Sequence, residues 1–387
     1  MKENWTYKKL ADIASFINGD RSSNYPSGTD FVENGIPFIN AGHLSEGKID
    51  FSQMNYITRP KYDSLRSGKI KENDILFCLR GSLGKCALVP QGLEGAIASS
   101  LVIIRPECAS SLYLKHFLNS SIVERNIQRS NNGSSQPNLS AKSVMGFEVP
   151  LPSISIQQSI VAELDEINNL LQLKKKELET FDKLAQSIFY EMFGDPVTNE
   201  KGWEVKKLGE IAEATIGLTY KPENVSECGT IVLRSGNIQD SSLAFDDIVR
   251  VNSKIPENKY VNEGDILMCT RNGSFRLVGK VAVITKLQER MSYGAFMTII
   301  RSNMNPYLFE YFKTPAFRDH LISGKTTTVN QITVKMLNDV KLPVPPLSLQ
   351  QVFADRNEAI EQQKEQVKAS INKLEALLAS RMQYWFD

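Results

Sequence analysis

From Ile160 onward, apolar residues fall at alternating steps of four and three: Ile160, Leu164, Ile167, Leu171, Leu178, Phe181, Ala185, Ile188 and Met192, with Lys174 as a polar break. That period is a heptad seam and predicts a long helix. It recurs 193 positions later as Phe353, Asn357, Ile360, Lys364, Val367, Ile371, Leu374, Leu378, Arg381 and Trp385, with more polar breaks. A stripe this narrow cannot be buried by one isolated helix, so each needs a partner, and the economical partner is the other. Pairing for stability alone and pairing that sets register both fit the polar breaks. Each helix follows prolines and opens with serine three residues before glutamine, Ser155 with Gln158 and Ser348 with Gln351, the spacing of a capping box. Gly194 and Pro196 end the first helix.

Ahead of each long helix the period shortens. "DILFCL" (residues 74–79) and "KCALV" (residues 85–89) alternate and are rich in branched and aromatic residues, as strands are, with Gly and Arg in the turn between. "SLYLKHFLNSSIVERNIQ" (residues 111–128) and "NPYLFEYFKTPAFRDHLI" (residues 305–322) carry helical spacing, the second interrupted at Pro315. Each body is a mixed α/β module.

The two halves echo each other throughout. "WTYKKLADIASFING" at residue 5 is answered by "WEVKKLGEIAEATIG" at residue 203, and "NDILFCLRGSLGKCALV" by "GDILMCTRNGSFRLVGKVAVI". In the latter pair Asp74 matches Asp265, Arg80 matches Arg271, and Gly84 with Lys85 matches Gly279 with Lys280 after a four-residue insertion. "GSSQPNLS" corresponds to "TTTVNQIT", and "VPLPSISIQQ" to "LPVPPLSLQQ". Repeats of this kind set the architecture. The expected division is a body at 1–154, a long helix and junction at 155–196, a second body at 197–346 and a second long helix at 347–387. The end of the second copy would continue into the start of the first if the chain were closed into a circle, so the molecule reads as a pseudo-dimer.

Composition adds mostly exclusions. At 387 residues, 41% hydrophobic and 23% charged, the chain has room for two or three ordinary domains. Neither an apolar signal region nor a membrane-length apolar run occurs, which reads as cytoplasmic with no membrane contact. The cysteines, Cys78, Cys86, Cys108, Cys228 and Cys269, form no C-x-x-C pair, so neither a disulfide framework nor a zinc site is indicated. Net charge is +1, but residues 1–155 carry 17 Lys/Arg against 14 Asp/Glu and residues 201–347 carry 19 against 15, while residues 156–200 carry 4 against 9. Two modest positive blocks thus bracket an acidic helix, which suits two modules that meet an anion.

"GHLSEGKI" has the spacing of a phosphate-binding loop, but Ile49 stands where the magnesium-binding hydroxyl belongs. "SGKTTT" has Gly-Lys-Thr, but Asp319 occupies the upstream glycine position. No amino-methyltransferase tetrad, nucleophile elbow or metal-binding H-E-x-x-H occurs, and no metal or catalytic residue is indicated. The loops instead hold donors at matching places: Arg80, Ser82 and Lys85 in the first copy, Arg271, Asn272, Ser274, Arg276 and Lys280 in the second. The second strings add Ser134, Ser135, Gln136 and Asn138, and Thr327, Thr328, Asn330 and Gln331. Arg reads guanine, Asn and Gln read adenine, and Ser, Thr and Lys hold phosphates, so these loops can read duplex DNA. The bland reading pairs the arginines with nearby carboxylates and lets the polar runs merely turn the chain. A non-DNA scaffold with two globular heads also fits.

The junction "MFGDPVTNEKGW" with "WEVKKLGEIAE", "GDILMCTRNG" and the two proline-led helix starts together resemble the specificity subunit of type I restriction-modification systems, over the whole chain. The resemblance implies an α+β protein. Two pseudo-symmetric target recognition domains are separated by two long helices that form an antiparallel coiled coil, and each domain reads one half of a bipartite DNA target. It implies two methyltransferase subunits carrying S-adenosylmethionine and motor-nuclease subunits using ATP and magnesium, with no catalysis or cofactor on this chain. The family's reading residues vary with target, so no residue list is carried over, and the polar second seam departs from an ideal coiled coil.

Overall fold

The computed structural model describes residues 5–21, 23–130, 137–323 and 330–387. They form two compact units, Met1–Lys175 with Ala369–Asp387, and Lys176–Lys368. Each unit therefore holds a body, the start of one long helix and the end of the other.

In the first unit, strands Ala14–Asn18, Leu101–Pro106, Ile75–Cys78 and Cys86–Leu88 form an antiparallel sheet in that order. A smaller sheet orders Ala96–Ile97, Ile36–Ile39, Tyr56–Ile57 and Phe31–Val32, and its first pairing is parallel. The second unit repeats both: Glu213–Ile216, Met297–Arg301, Ile266–Cys269 and Val281–Val283 in one sheet, and Met291–Tyr293, Thr230–Leu233, Arg250–Val251 and Val225–Ser226 in the other. The mixed α/β reading of the bodies holds.

The strands at 75–78 and 266–269 are not half-buried, contrary to the alternation expected of them. Ile75 and Phe77 enter one core with Tyr113 and Phe117, while Leu76 and Cys78 enter another with Ile39 and Ile97. Ile266 and Met268, against Leu267 and Cys269, divide in the same way. A strand covered on both faces needs an unbroken apolar run. The matched aspartates close these sheets: buried Asp74 takes Arg105 Nε at 2.7 Å and Nη2 at 2.8 Å, and buried Asp265 takes Arg301 Nε at 2.8 Å and Nη2 at 2.6 Å. A bidentate geometry of this kind is strong and directional.

The helical stretch at 111–128 is also broken, into Ser111–Leu118 and Ser121–Ser130, as its counterpart is into Asn305–Lys313 and Pro315–Ser323. At the break Ser120 Oγ donates to Phe117 O at 2.6 Å and Thr314 Oγ1 to Tyr311 O at 2.6 Å. The hydroxyl common to both copies, rather than Pro315 alone, marks the stop.

The long helices run Ile154–Phe193 and Leu347–Phe386, 40 residues each. Both start before the predicted caps, so Ser155 and Ser348 lie inside the first turn and the capping box is not formed. The neighbouring glutamines do the fastening: buried Gln157 accepts from Ser110 N at 2.9 Å and donates to Pro152 O at 2.9 Å, and buried Gln350 donates to Pro345 O at 2.7 Å.

In each unit the two helix segments run antiparallel. Arg381 pairs with Glu163 and Lys175 with Glu375 in the first; Lys364 pairs with Asp182 at 2.8 Å and Arg356 approaches Met192 in the second. The seam is buried at Ile160, Leu164, Ile167 and Leu171, and at Phe353, Ile360, Val367 and Ile371. Its polar break at Lys364 is buried too; burial opposes the charge, but Asp182 and Glu361 more than offset this and raise its pKa.

Each helix end plugs a body. Phe386 packs on Tyr113 and Phe117, ring centroids 5.4 and 5.9 Å apart, and Trp385 stacks on Trp5 at 6.1 Å. At the same place in the second unit, Phe193 packs on Tyr307 at 5.0 Å. Among the described residues no helix is long and apolar enough to cross a membrane.

Candidate nucleic-acid interface

In the first body the strand Ile75–Cys78 ends at a loop that returns at Cys86. Arg80 stands at its start, and Gly84, at φ 81°, occupies a left-handed turn where a Cβ would meet Ile127 at 2.6 Å. The loop does not stand alone. Arg80 forms an antiparallel bridge with Asn138, flanked by Gly81 N to Pro137 O at 3.2 Å and Leu139 N to Leu79 O at 2.9 Å. The second body repeats this: Arg271 bridges Gln331, with Asn272 N to Asn330 O at 3.3 Å and Ile332 N to Thr270 O at 2.8 Å. Segments about 60 residues apart in sequence are thus joined at Arg80 and Asn138, and again at Arg271 and Gln331.

Backbone pairing fixes where the arginines emerge. Beneath each lies a buried thiol: Cys78 Sγ donates to Arg80 O at 3.1 Å and Cys269 Sγ to Arg271 O at 3.6 Å. Burial raises the pKa of both thiols, which keeps them protonated as donors. Arg80, Ser82, Lys85, Asn138, Arg271, Ser274, Arg276 and Gln331 are exposed. Among the described residues no carboxylate pairs with Arg80, Lys85, Arg271 or Arg276. The reading in which these arginines serve structural ion pairs therefore fails for them, while Arg105 and Arg301 do serve that role.

Other candidates hold the loop together. Asn272 donates to Ser235 Oγ at 3.1 Å and accepts from Ser274 N at 3.0 Å, and Asn330 donates to Gly273 O at 2.9 Å. Lys280 lines a groove of about 510 Å³ with Glu179, Asp182 and Lys183 of the long helix. Ser134, Ser135, Gln136, Thr327 and Thr328 lie outside the described residues.

The sequence pattern did not single out Phe296. Its ring is 56% exposed and carries the Arg271 guanidinium 5.1 Å from its centroid. Its carbonyl accepts from Thr270 N at 2.9 Å and Arg271 N at 3.1 Å. In the first body Ser100 holds the same backbone position, accepting from Leu79 N at 2.9 Å. Aligning "YGAFMTIIR" with "IASSLVIIR" exposes this exchange.

Among the described residues no group of His, Cys, Asp and Glu is placed to hold a metal ion. Known proteins share this layout. The family described as "Type I restriction modification DNA specificity domain" matches residues 2–181 and again 200–376. The type I restriction enzyme EcoKI specificity subunit of Escherichia coli strain K12 is 23% identical, over 97% of this chain and 87% of that one. The StySPI specificity subunit of Salmonella potsdam is 22% identical, over 96% and 85%. Among solved structures, a chain from a study of complex assembly and conformational transition of the type I R-M system superposes with a TM-score of 0.57 at 20% identity, over 98% of this chain and 97% of that one. The S subunit from M. genitalium gives 0.55 at 15% identity, over 99% and 96%. These structures share the fold.

Proposed function

This chain belongs to the type I restriction-modification DNA specificity family, and from that membership and its two bridged loops we infer that it supplies the DNA recognition of such a system. The observation that carries the reading is the duplicated surface on which unpaired arginines stand, at the same backbone position in both bodies. Each body reads one half of a bipartite duplex target, with base contacts from the arginines and phosphate contacts from serines and lysines. The long helices set the gap between the half-sites; 40 residues span roughly 60 Å.

Catalysis resides on other subunits. Two methyltransferase subunits, carrying S-adenosylmethionine, dock on this chain, and motor-nuclease subunits using ATP and magnesium complete the assembly in the cytoplasm. The charge distribution supports that division. The excess is only three in residues 1–155 and four in residues 201–347, whereas phosphate neutralisation dominates affinity for DNA. The lone chain should bind weakly and the chain with its methyltransferase tightly.

The test is to select bound sequences from a random duplex library with that complex. The expected result is two short conserved blocks around an unread gap. Exchanging residues 197–346 for the matching block of a relative should rewrite one block and spare the other. No enrichment, or both blocks changing together, would refute the reading.

A further inference from the structure

We propose that Phe296 determines specificity in the second body by packing its ring against the 5-methyl group of a thymine beside the base pair that Arg271 contacts. This rests on the DNA-reading role of that surface and adds to it a residue and a chemical target.

Three observations lead there. Phe296 is a large apolar side chain left 56% exposed, yet its position is fixed: Thr270 N, Arg271 N and, at 3.2 Å, Thr270 Oγ1 all donate to its carbonyl, and Met297 N closes the turn on Gly294 O at 2.8 Å. Three hydrogen bonds on its carbonyl and the closed turn beside it fix the backbone from which the ring projects. Next, its ring lies under the Arg271 guanidinium, so whatever that arginine meets lies within reach of the ring. Finally, the other body has Ser100 at this place, so the side chain differs where the scaffold is the same. That is the behaviour of a position that sets preference rather than of one that holds the fold.

The chemistry then narrows the contact. A phenyl ring offers no donor for a phosphate oxygen. In the major groove, where the arginine fork finds guanine N7 and O6, the apolar feature available to it is the thymine methyl. A ring pushed between base pairs from the minor groove is the competing geometry, and it would bend the duplex without regard to that methyl.

The experiment uses the full chain with its methyltransferase subunit and the duplex it selects. At one base pair of the second half-site, replacing thymine by uracil removes only the methyl. The expected loss is about fivefold, the lower end of the cost of one mismatched pair. Phe296→Ala should bind the thymine and uracil duplexes alike, and Phe296→Leu, which keeps an apolar surface, should retain the difference. The side chain is exposed, so both variants should melt as the parent does. Equal binding of thymine and uracil duplexes by the parent at every position overturns the proposal, as does an Ala variant weakened on all sequences alike. If two conserved blocks are selected and the Ala variant keeps both unchanged, the Phe296 contact fails while the recognition role stands. If no sequence is selected at all, both fail.

Discussion

His116 and Glu310 hold the same position in the two bodies, and burial, which disfavours the charged form of each, shifts their pKa values in opposite directions. His116 is 5% exposed, with Nε2 2.8 Å from Asp165 Oδ1; burial lowers its pKa below the ordinary 6.5 by more than Asp165 raises it, and Lys115 lowers it further. Glu310 is 1% exposed and accepts from Lys313 at 2.9 Å; burial raises its carboxyl, Lys313 and Lys364 pull it down, and Glu361 adds to the rise. The unfolded chain therefore binds a proton at His116 before the folded first unit does, and that unit loses stability as pH falls below about 6.5 toward the lowered folded value. The second unit behaves the other way. Its Glu310 contribution is full below the ordinary 4.5 and is lost as pH rises through the raised folded value. Hydrogen exchange resolved by unit should show these opposed trends, and His116→Gln and Glu310→Gln should each flatten one. At the reading surface, Arg271→Ala should cost about 1–3 kcal/mol of discrimination at one base pair if the fork reads a base, and should weaken all sequences alike if it holds a phosphate; site selection with Arg80→Ala and Arg271→Ala distinguishes these. That the two arginines hold equivalent places was legible because a repeat marks positions without needing a structure. That Asn272 and Asn330 secure the loop was not, because their partners Ser235 and Gly273 come from elsewhere in the chain.

Phe193 and Phe386 show what an element can do that a residue count hides. Each is 3% exposed at the last turn of a long helix, and each plugs the body that did not launch that helix. Removing a buried phenylalanine costs about 3–5 kcal/mol. Phe193→Ala should therefore destabilise the second unit and Phe386→Ala the first, measured as protection lost in one unit's amides and kept in the other's. Destabilisation of the first unit by Phe193→Ala would mean that the helix ends are not shared in this way. The seam was readable from Ile160 to Leu171 because helix neighbours three and four apart are local. The helix starts were not. Ser155 and Gln158 have the spacing of a cap, but Gln157 finds Ser110 N, a partner 47 residues away, and that tertiary bond places the first turn.

For the whole molecule, the offset between copies disclosed the duplication, and the circular order of body and helix disclosed which ends belong together. What no local pattern could disclose is the cut: the second unit is one unbroken stretch, residues 176–368, and the first is two. This has a consequence for a chain emerging from the ribosome. Residues 5–175 come out first but must wait for Trp385 and Phe386, roughly two hundred residues later, which at 5–20 residues per second is on the order of ten to forty seconds. Protease treatment of arrested nascent chains should find residues 176–368 resistant before residues 5–175, the later-made unit maturing earlier; the reverse order would mean that the first body closes without its helix plug. During the delay Ile160, Leu164, Ile167 and Leu171 lack their partner helix. If the first body closes only on its helix plug, birth order and folding order are inverted, and the oldest stretch of the nascent chain is the one longest exposed to chaperones and to aggregation.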